Sequence, residues 1–244
     1  MKSTYHLLAL GLAGSLIFSG CGNSGQQTAG ALGNSNAAQR VYVAPGELDT
    51  YYEFFSGGFS GQVTVHGLPS GRLLKTIPVF SLDAEKGYGF NEETKPMLMT
   101  TFGFIPWDDS HHPKLSQTEG VHDGKYLFIN GNNTPRIARI DLTTFETTEI
   151  IQIPNAAGSH ASPYPTQNTE YLVSSTRFSV PIPQRDVPID SYKENFKGTI
   201  TFIKGGQEPG AMDIAFQILV PGFDYDLAHF RQRGFARLVF LHNL

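Results

Sequence analysis

Between Lys125 and Ile153 the chain repeats one pattern three times, a short apolar-rich run followed by a tight turn. Lys125-Tyr126-Leu127-Phe128-Ile129-Asn130 reads as a strand, and Gly131-Asn132-Asn133-Thr134-Pro135 is built of residues that tolerate unusual backbone angles. Arg136-Ile137-Ala138-Arg139-Ile140-Asp141-Leu142 alternates apolar and polar positions, as a half-buried strand does. Thr143-Thr144-Phe145-Glu146 turns the chain again, and Thr147 to Ile153 gives a third strand stopped by Pro154. Short antiparallel strands joined in this way form a meander, the unit of a propeller blade.

Similar pieces recur along the chain. They are Gly61 to Val65, Gly71 to Val79, Tyr171 to Ser175, Gly198 to Ile203 and Asp213 to Ile218. With 26 Gly, 15 Pro and only 16% charged residues, the expectation is an all-β protein, a propeller first and a sandwich as the alternative. At roughly 40–50 residues per blade, the stretch from 45 to 229 suffices for about four blades. Tyr51-Tyr52-Glu53-Phe54-Phe55-Ser56-Gly57-Gly58-Phe59-Ser60-Gly61 is Gly-rich, but no Lys-Ser/Thr pair or helix start follows it. It therefore reads as close-packed backbone rather than a phosphate loop.

Lys2 followed by the apolar run Leu7 to Phe18 predicts a secretory leader over 1–20. The run is too short to span a bilayer as a mature helix. Ser19-Gly20 directly before Cys21 resembles a lipoprotein cleavage box, so Cys21 is the expected lipidation site and the protein is expected to be exported, periplasmic and anchored through that lipid. Residues 21–40 have almost no large apolar side chain after Cys21 and predict a flexible tether, because they bury too little to offset their ordering entropy. A single cysteine excludes a disulfide scaffold and a Cys-rich zinc site. The balance of 18 basic and 22 acidic residues lacks the positive excess that binding nucleic acid by charge needs.

Chemistry points to the histidines, of which there are eight: His6, His66, His111, His112, His122, His160, His229 and His242. Neighbouring residues on a regular strand face opposite ways, so His111 and His112 can serve one centre only from a bend, which Pro113 favours. Neutral imidazole suits copper, zinc, iron and nickel. Asp109 is placed to accept the second ring N–H of a ligating histidine. His160 follows His112 by about one blade, and equivalent positions of successive blades converge on a propeller axis. The residues alone leave open a zinc hydrolase using these three histidines, or a lipid-anchored propeller that binds without catalysis.

The blocks Tyr51 to Arg72, Asp109 to Ser116, Asp123 to Asn130, Arg136 to Ile140, and Ile153-Pro154-Asn155 leading to His160 resemble the nitrous-oxide reductase family, in its Sec-exported branch. The resemblance covers roughly residues 41–229. It implies a seven-bladed propeller followed by a cupredoxin domain. It also implies a four-copper sulfide cluster, CuZ, held by seven histidines on the propeller axis. His111, His112 and His160 match three of the copper ligands, and Asp109 matches the carboxylate before the pair. The implied reaction is the two-electron reduction of N2O to N2 and water. The family also implies a binuclear CuA centre, calcium sites, a homodimer, and a c-type cytochrome or cupredoxin-like electron donor.

After Phe230 the resemblance stops, and residues 231–244 carry three arginines in their first seven positions. Synonymous codons for this tail can be chosen so that a frame one base over reads as a family-like continuation. The expectation is a single-base frameshift near Arg231, which makes 231–244 an out-of-frame tail. On this expectation 41–230 is the N-terminal part of the CuZ propeller, the cupredoxin domain is absent, and the fragment is inactive.

Overall fold

The computed structural model describes residues 36–160, 163–206 and 210–220. The leader 1–20, Cys21, most of the tether, residues 221–230 and the tail 231–244 lie outside the described residues. Two compact units divide the chain, Met1–Tyr42 and Val43–Leu244. The first has the four-residue helix Ala37–Arg40 among its described residues. The second holds all the described strands.

Four antiparallel sheets follow one another in that second unit. β1 (Tyr51–Ser56), β2 (Gln62–Leu68) and β3 (Leu73–Pro78) form a three-stranded meander. A short ribbon pairs β4 (Met99–Thr100) with β5 (Gly103–Phe104). β6 (Lys114–Thr118), β7 (Val121–Gly131), β8 (Arg136–Asp141) and β9 (Glu146–Gln152) make a four-stranded meander in chain order. The last sheet runs β10 (Tyr164–Pro165), β11 (Tyr171–Ser175), β13 (Phe196–Lys204) and β14 (Asp213–Val220), with β12 (Val180–Pro181) added to β13 at Phe196 and Lys197. Up-and-down sheets of this size, stacked face to face, make the chain a partial β-propeller.

Packing on the β6–β9 sheet accounts for its sequence. Leu127, Ile129, Ala138 and Ile140 join Val63, Val65 and Ile77 of the first sheet in one core, together with Val79 and Phe80. Phe128 and Ile137 point the other way and join Leu172 and Ile203 of the last sheet, and Met212 just before β14, in a second core. A strand buried on both faces carries a continuous apolar run, which is why Leu127 to Ile129 has no polar break. Here the expectation of a half-buried β8 is corrected: its first five residues are all buried, including both arginines. Arg136 turns toward the first sheet, over the Phe80 ring. Arg139 turns toward the last sheet, where it donates to the Gly206 carbonyl at 2.6 Å and lies 3.2 Å from Glu149.

The aromatic stretch before Gly57 is also corrected, from close-packed backbone to strand β1, paired along its whole length with β2. Close packing begins at the glycines that end it. Gly61 has φ +67°, and a Cβ there would stand 2.4 Å from the Phe80 carbonyl oxygen, so a side chain fits neither the backbone nor the space. This tight corner sets the path of residues 57–61 beside the segment that carries the paired histidines, through bridges from Ser110 to Gly58 and to Gly131.

Candidate metal centre

His111 and His112 leave extended pairing just before β6, and His160 sits just before β10, so each lies on the approach to the first strand of successive sheets. Backbone pairing brings the first two into place: Ser110 N donates to Gly58 O at 3.0 Å, and His111 N donates to Asn130 O at 3.0 Å. The next residue but one is Pro113, which has no N–H to continue a ladder. Freed there, the two adjacent rings turn to one place, 4.3 Å apart between centroids and 80° in plane.

The His160 loop needs a different solution. Gly158 has φ +74°, and a Cβ on it would lie 2.7 Å from Asn132 O. That close approach lets Ser159 N donate to Asn132 O at 3.2 Å, while Arg177 N donates to Gly158 O at 3.1 Å. The loop is thus sewn to the β7–β8 turn on one side and to the strand ends of its own sheet on the other.

Three imidazoles result, each partly buried, with ligand atoms all within 4.8 Å of one another. Nε2 of His160 lies 3.0 Å from Nε2 of His111. Two nitrogens held about 2.0 Å from one tetrahedral ion stand about 3.3 Å apart, so the pair needs almost no rearrangement to share a metal. Nδ1 of His111 faces away from the cluster toward Asp109, 3.7 Å from Oδ2. That gap is beyond a hydrogen bond, though it has the direction an outer carboxylate takes. Asp109 is buried, and its Oδ1 has no hydrogen-bond partner. A buried carboxylate oxygen of this kind is compensated when positive charge enters next to it. The donor set therefore fits a borderline or soft cation of the copper and zinc type.

Asn130 and Asn132 were not singled out as site residues by the sequence. Asn130 Oδ1 accepts from His112 N at 2.9 Å, and its Nδ2 donates to Ser159 O. Asn132 Nδ2 donates to Asp109 Oδ2 at 3.1 Å, and its Oδ1 accepts from Arg177 at 3.3 Å. Their signal was their i, i+2 spacing where the apolar run of β7 ends. Of the other histidines, His66 lies on β2 against Phe55 and His122 on β7, both away from the cluster. His6, His229 and His242 are outside the described residues.

No family model matches the chain. Curated relatives do. The nitrous-oxide reductase of Stutzerimonas stutzeri is 37% identical over 185 residues, that of Pseudomonas fluorescens 36% over 197, and that of Cupriavidus necator 34% over 210. These alignments cover 75%, 79% and 81% of this chain. The chain belongs to the nitrous-oxide reductase family. It spans only 28%, 29% and 32% of those three nitrous-oxide reductases. Among solved structures, a dihydro-heme d1 dehydrogenase matches with a TM-score of 0.38 and 11% identity, covering 73% of this chain and 30% of the other. Hydrazine synthase of Kuenenia stuttgartiensis matches at 0.35 and 14%, covering 71% and 53%. Membership of the nitrous-oxide reductase family implies copper, and the His111, His112 and His160 cluster is a group that can hold a metal ion.

Proposed function

We propose that this chain supplies part of the copper-binding propeller of a nitrous-oxide reductase, with His111, His112 and His160 as copper ligands and Asp109 orienting His111. The convergence of three imidazoles within 4.8 Å, in a chain of this family, carries the reading. In the whole enzyme the reaction is N2O + 2 H+ + 2 e– to N2 and water, at the CuZ copper–sulfide cluster. His111, His112 and His160 would hold copper, which with soft sulfide and imidazole ligands would stay reduced and could supply the electrons to an inert linear molecule. The residues of this chain orient the ligands: Asn130 at the end of β7 holds the backbone of His111 and His112, and the Gly158 loop fixes His160 against Asn132. Electrons come from a c-type cytochrome or cupredoxin-like donor by way of CuA in a homodimer. Export places the protein in the periplasm, held at the membrane through a lipid on Cys21.

Among the described residues three imidazoles converge, enough for one copper ion, whereas a four-copper cluster takes more donors. The 244-residue chain alone is therefore expected to bind copper without turning over nitrous oxide. Copper titration with metal analysis, beside a viologen-linked nitrous-oxide assay, tests both statements. The expected result is one copper per chain, lost in His111→Ala/His112→Ala, and no turnover. Retention of zinc in preference to copper, or copper binding indifferent to these histidines, would overturn the proposal.

A further inference from the structure

We propose that Asn130 is a positioning residue for the metal centre, its side-chain amide setting the distance between the loop that carries His112 and the loop that carries His160. The inference rests on the copper reading above and adds to it a residue that supplies no ligand atom.

Asn130 is fully buried at the end of β7, one step past Ile129. Alternate residues of β7 face opposite sheets, and Asn130 shares the face of Phe128, toward the last sheet. On this face an apolar side chain would satisfy packing. The amide instead reaches main-chain atoms of both histidine loops. Oδ1 accepts from His112 N at 2.9 Å, Nδ2 donates to Ser159 O one residue before His160, and the main-chain carbonyl accepts from His111 N at 3.0 Å. An amide offers an acceptor and a donor on one rigid plane. Aspartate offers only acceptors and would set an oxygen against the Ser159 carbonyl. Alanine offers neither. One side chain thus spans a seam between two sheets, and 49 residues of chain from His111 to His160 close onto a single point.

The test uses the 244-residue chain loaded with Cu(II) as the probe. Copper affinity is read by competition with a chelator, and the number of coordinated imidazoles by pulsed electron paramagnetic resonance. The unaltered chain is expected to show three imidazole nitrogens on the copper. Asn130→Asp keeps the acceptor for His112 N and loses the donor to Ser159, so it is expected to retain His111 and His112 and lose His160. Its spectrum then matches that of His160→Ala, and affinity falls about 10–100-fold. Asn130→Ala is expected to lose at least as much. Three imidazoles at unchanged affinity in either variant would overturn the inference while leaving the copper reading intact. Absence of imidazole-bound copper in the unaltered chain would remove the copper reading and this inference with it. If both variants unfold without metal, as judged by circular dichroism, Asn130 is a residue of the fold and the positioning role fails.

Discussion

The guanidinium of Arg136 lies 3.4 Å from Oδ2 of Asp108, with side-chain exposures of 1% and 0%. Asp108 also accepts from Asn133 N at 3.1 Å and Thr134 N at 2.9 Å, so one buried carboxylate ties the turn after β7 to the segment entering the histidine pair. Burial works to lower the Arg136 pKa and Asp108 opposes it. Asp109 N donates to it as well, at 2.7 Å, so removing the carboxylate strands a charge and three N–H groups at once. Asp108→Ala is expected to cost about 3–5 kcal/mol, measured by urea unfolding. A loss below about 1 kcal/mol would show that water or a rearranged turn replaces it.

Asp109, next in sequence, faces the centre rather than the core. Asp109→Asn retains the size and removes the charge that sits 3.7 Å from His111 Nδ1. Copper affinity should fall about 10-fold or more, with little change in the stability of the metal-free protein. Equal affinity in the variant would assign Asp109 to loop structure alone.

Gly158→Ala combines strain at φ +74° with a Cβ placed 2.7 Å from Asn132 O. The expected loss is about 1–3 kcal/mol of stability. Copper affinity should drop in parallel, because the same contact holds Ser159 against Asn132. Thermal melts with and without copper separate the two effects.

Metal that binds only the folded chain raises its stability by mass action. Copper at about 100 times its dissociation constant should add about 2.7 kcal/mol, reversed by a chelator. His160→Ala should show a clearly smaller rise in melting temperature at the same copper concentration. An equal rise would mean that copper binds elsewhere.

Acid sensitivity should appear far from the centre, in the turn between β8 and β9. The Thr143 hydroxyl bonds to Asp141 and, against opposing burial, holds that carboxyl below its ordinary 3.8; Thr143 N and Thr144 N add to the effect. A carboxyl lowered in the folded state stabilises above its unfolded pKa, and that contribution is lost as pH falls through the folded value. The melting-temperature difference between the unaltered chain and Asp141→Asn should therefore shrink as pH falls from 5 to 2. A difference constant over that range would rule out this linkage.

Much of this architecture could be read from residue order. The strands around Lys125 to Ile153 and Tyr171 to Ser175 stand where turn residues and apolar runs predicted them, because there local propensity and tertiary burial agree. β1 was obscure because its aromatics, largely exposed, show no apolar–polar alternation. Arg136 and Arg139 misled for the opposite reason, since inside the molecule each pairs with a carboxylate on another segment, Asp108 before β6 and Glu149 on β9. At the centre, residue type and the bend at Pro113 raised His111 and His112 together and the family resemblance added His160; that the three rings meet is visible only in the fold. Asn130 and Asn132 were not legible, since what they hold is main chain of other loops, and main chain leaves no letter to read.

The three imidazoles sit on loops that lead into two different sheets, and their donor atoms span no more than 4.8 Å. Neighbouring strands are themselves about 4.8 Å apart. A slip of one sheet against the next by a single strand width would scatter the ligands completely, whereas lengthening a hairpin at the far rim would move none of them. If copper binds as proposed, its affinity is therefore a gauge of how two blades are stacked, and mutations deep in the apolar seam, chemically silent in themselves, should register as lost copper.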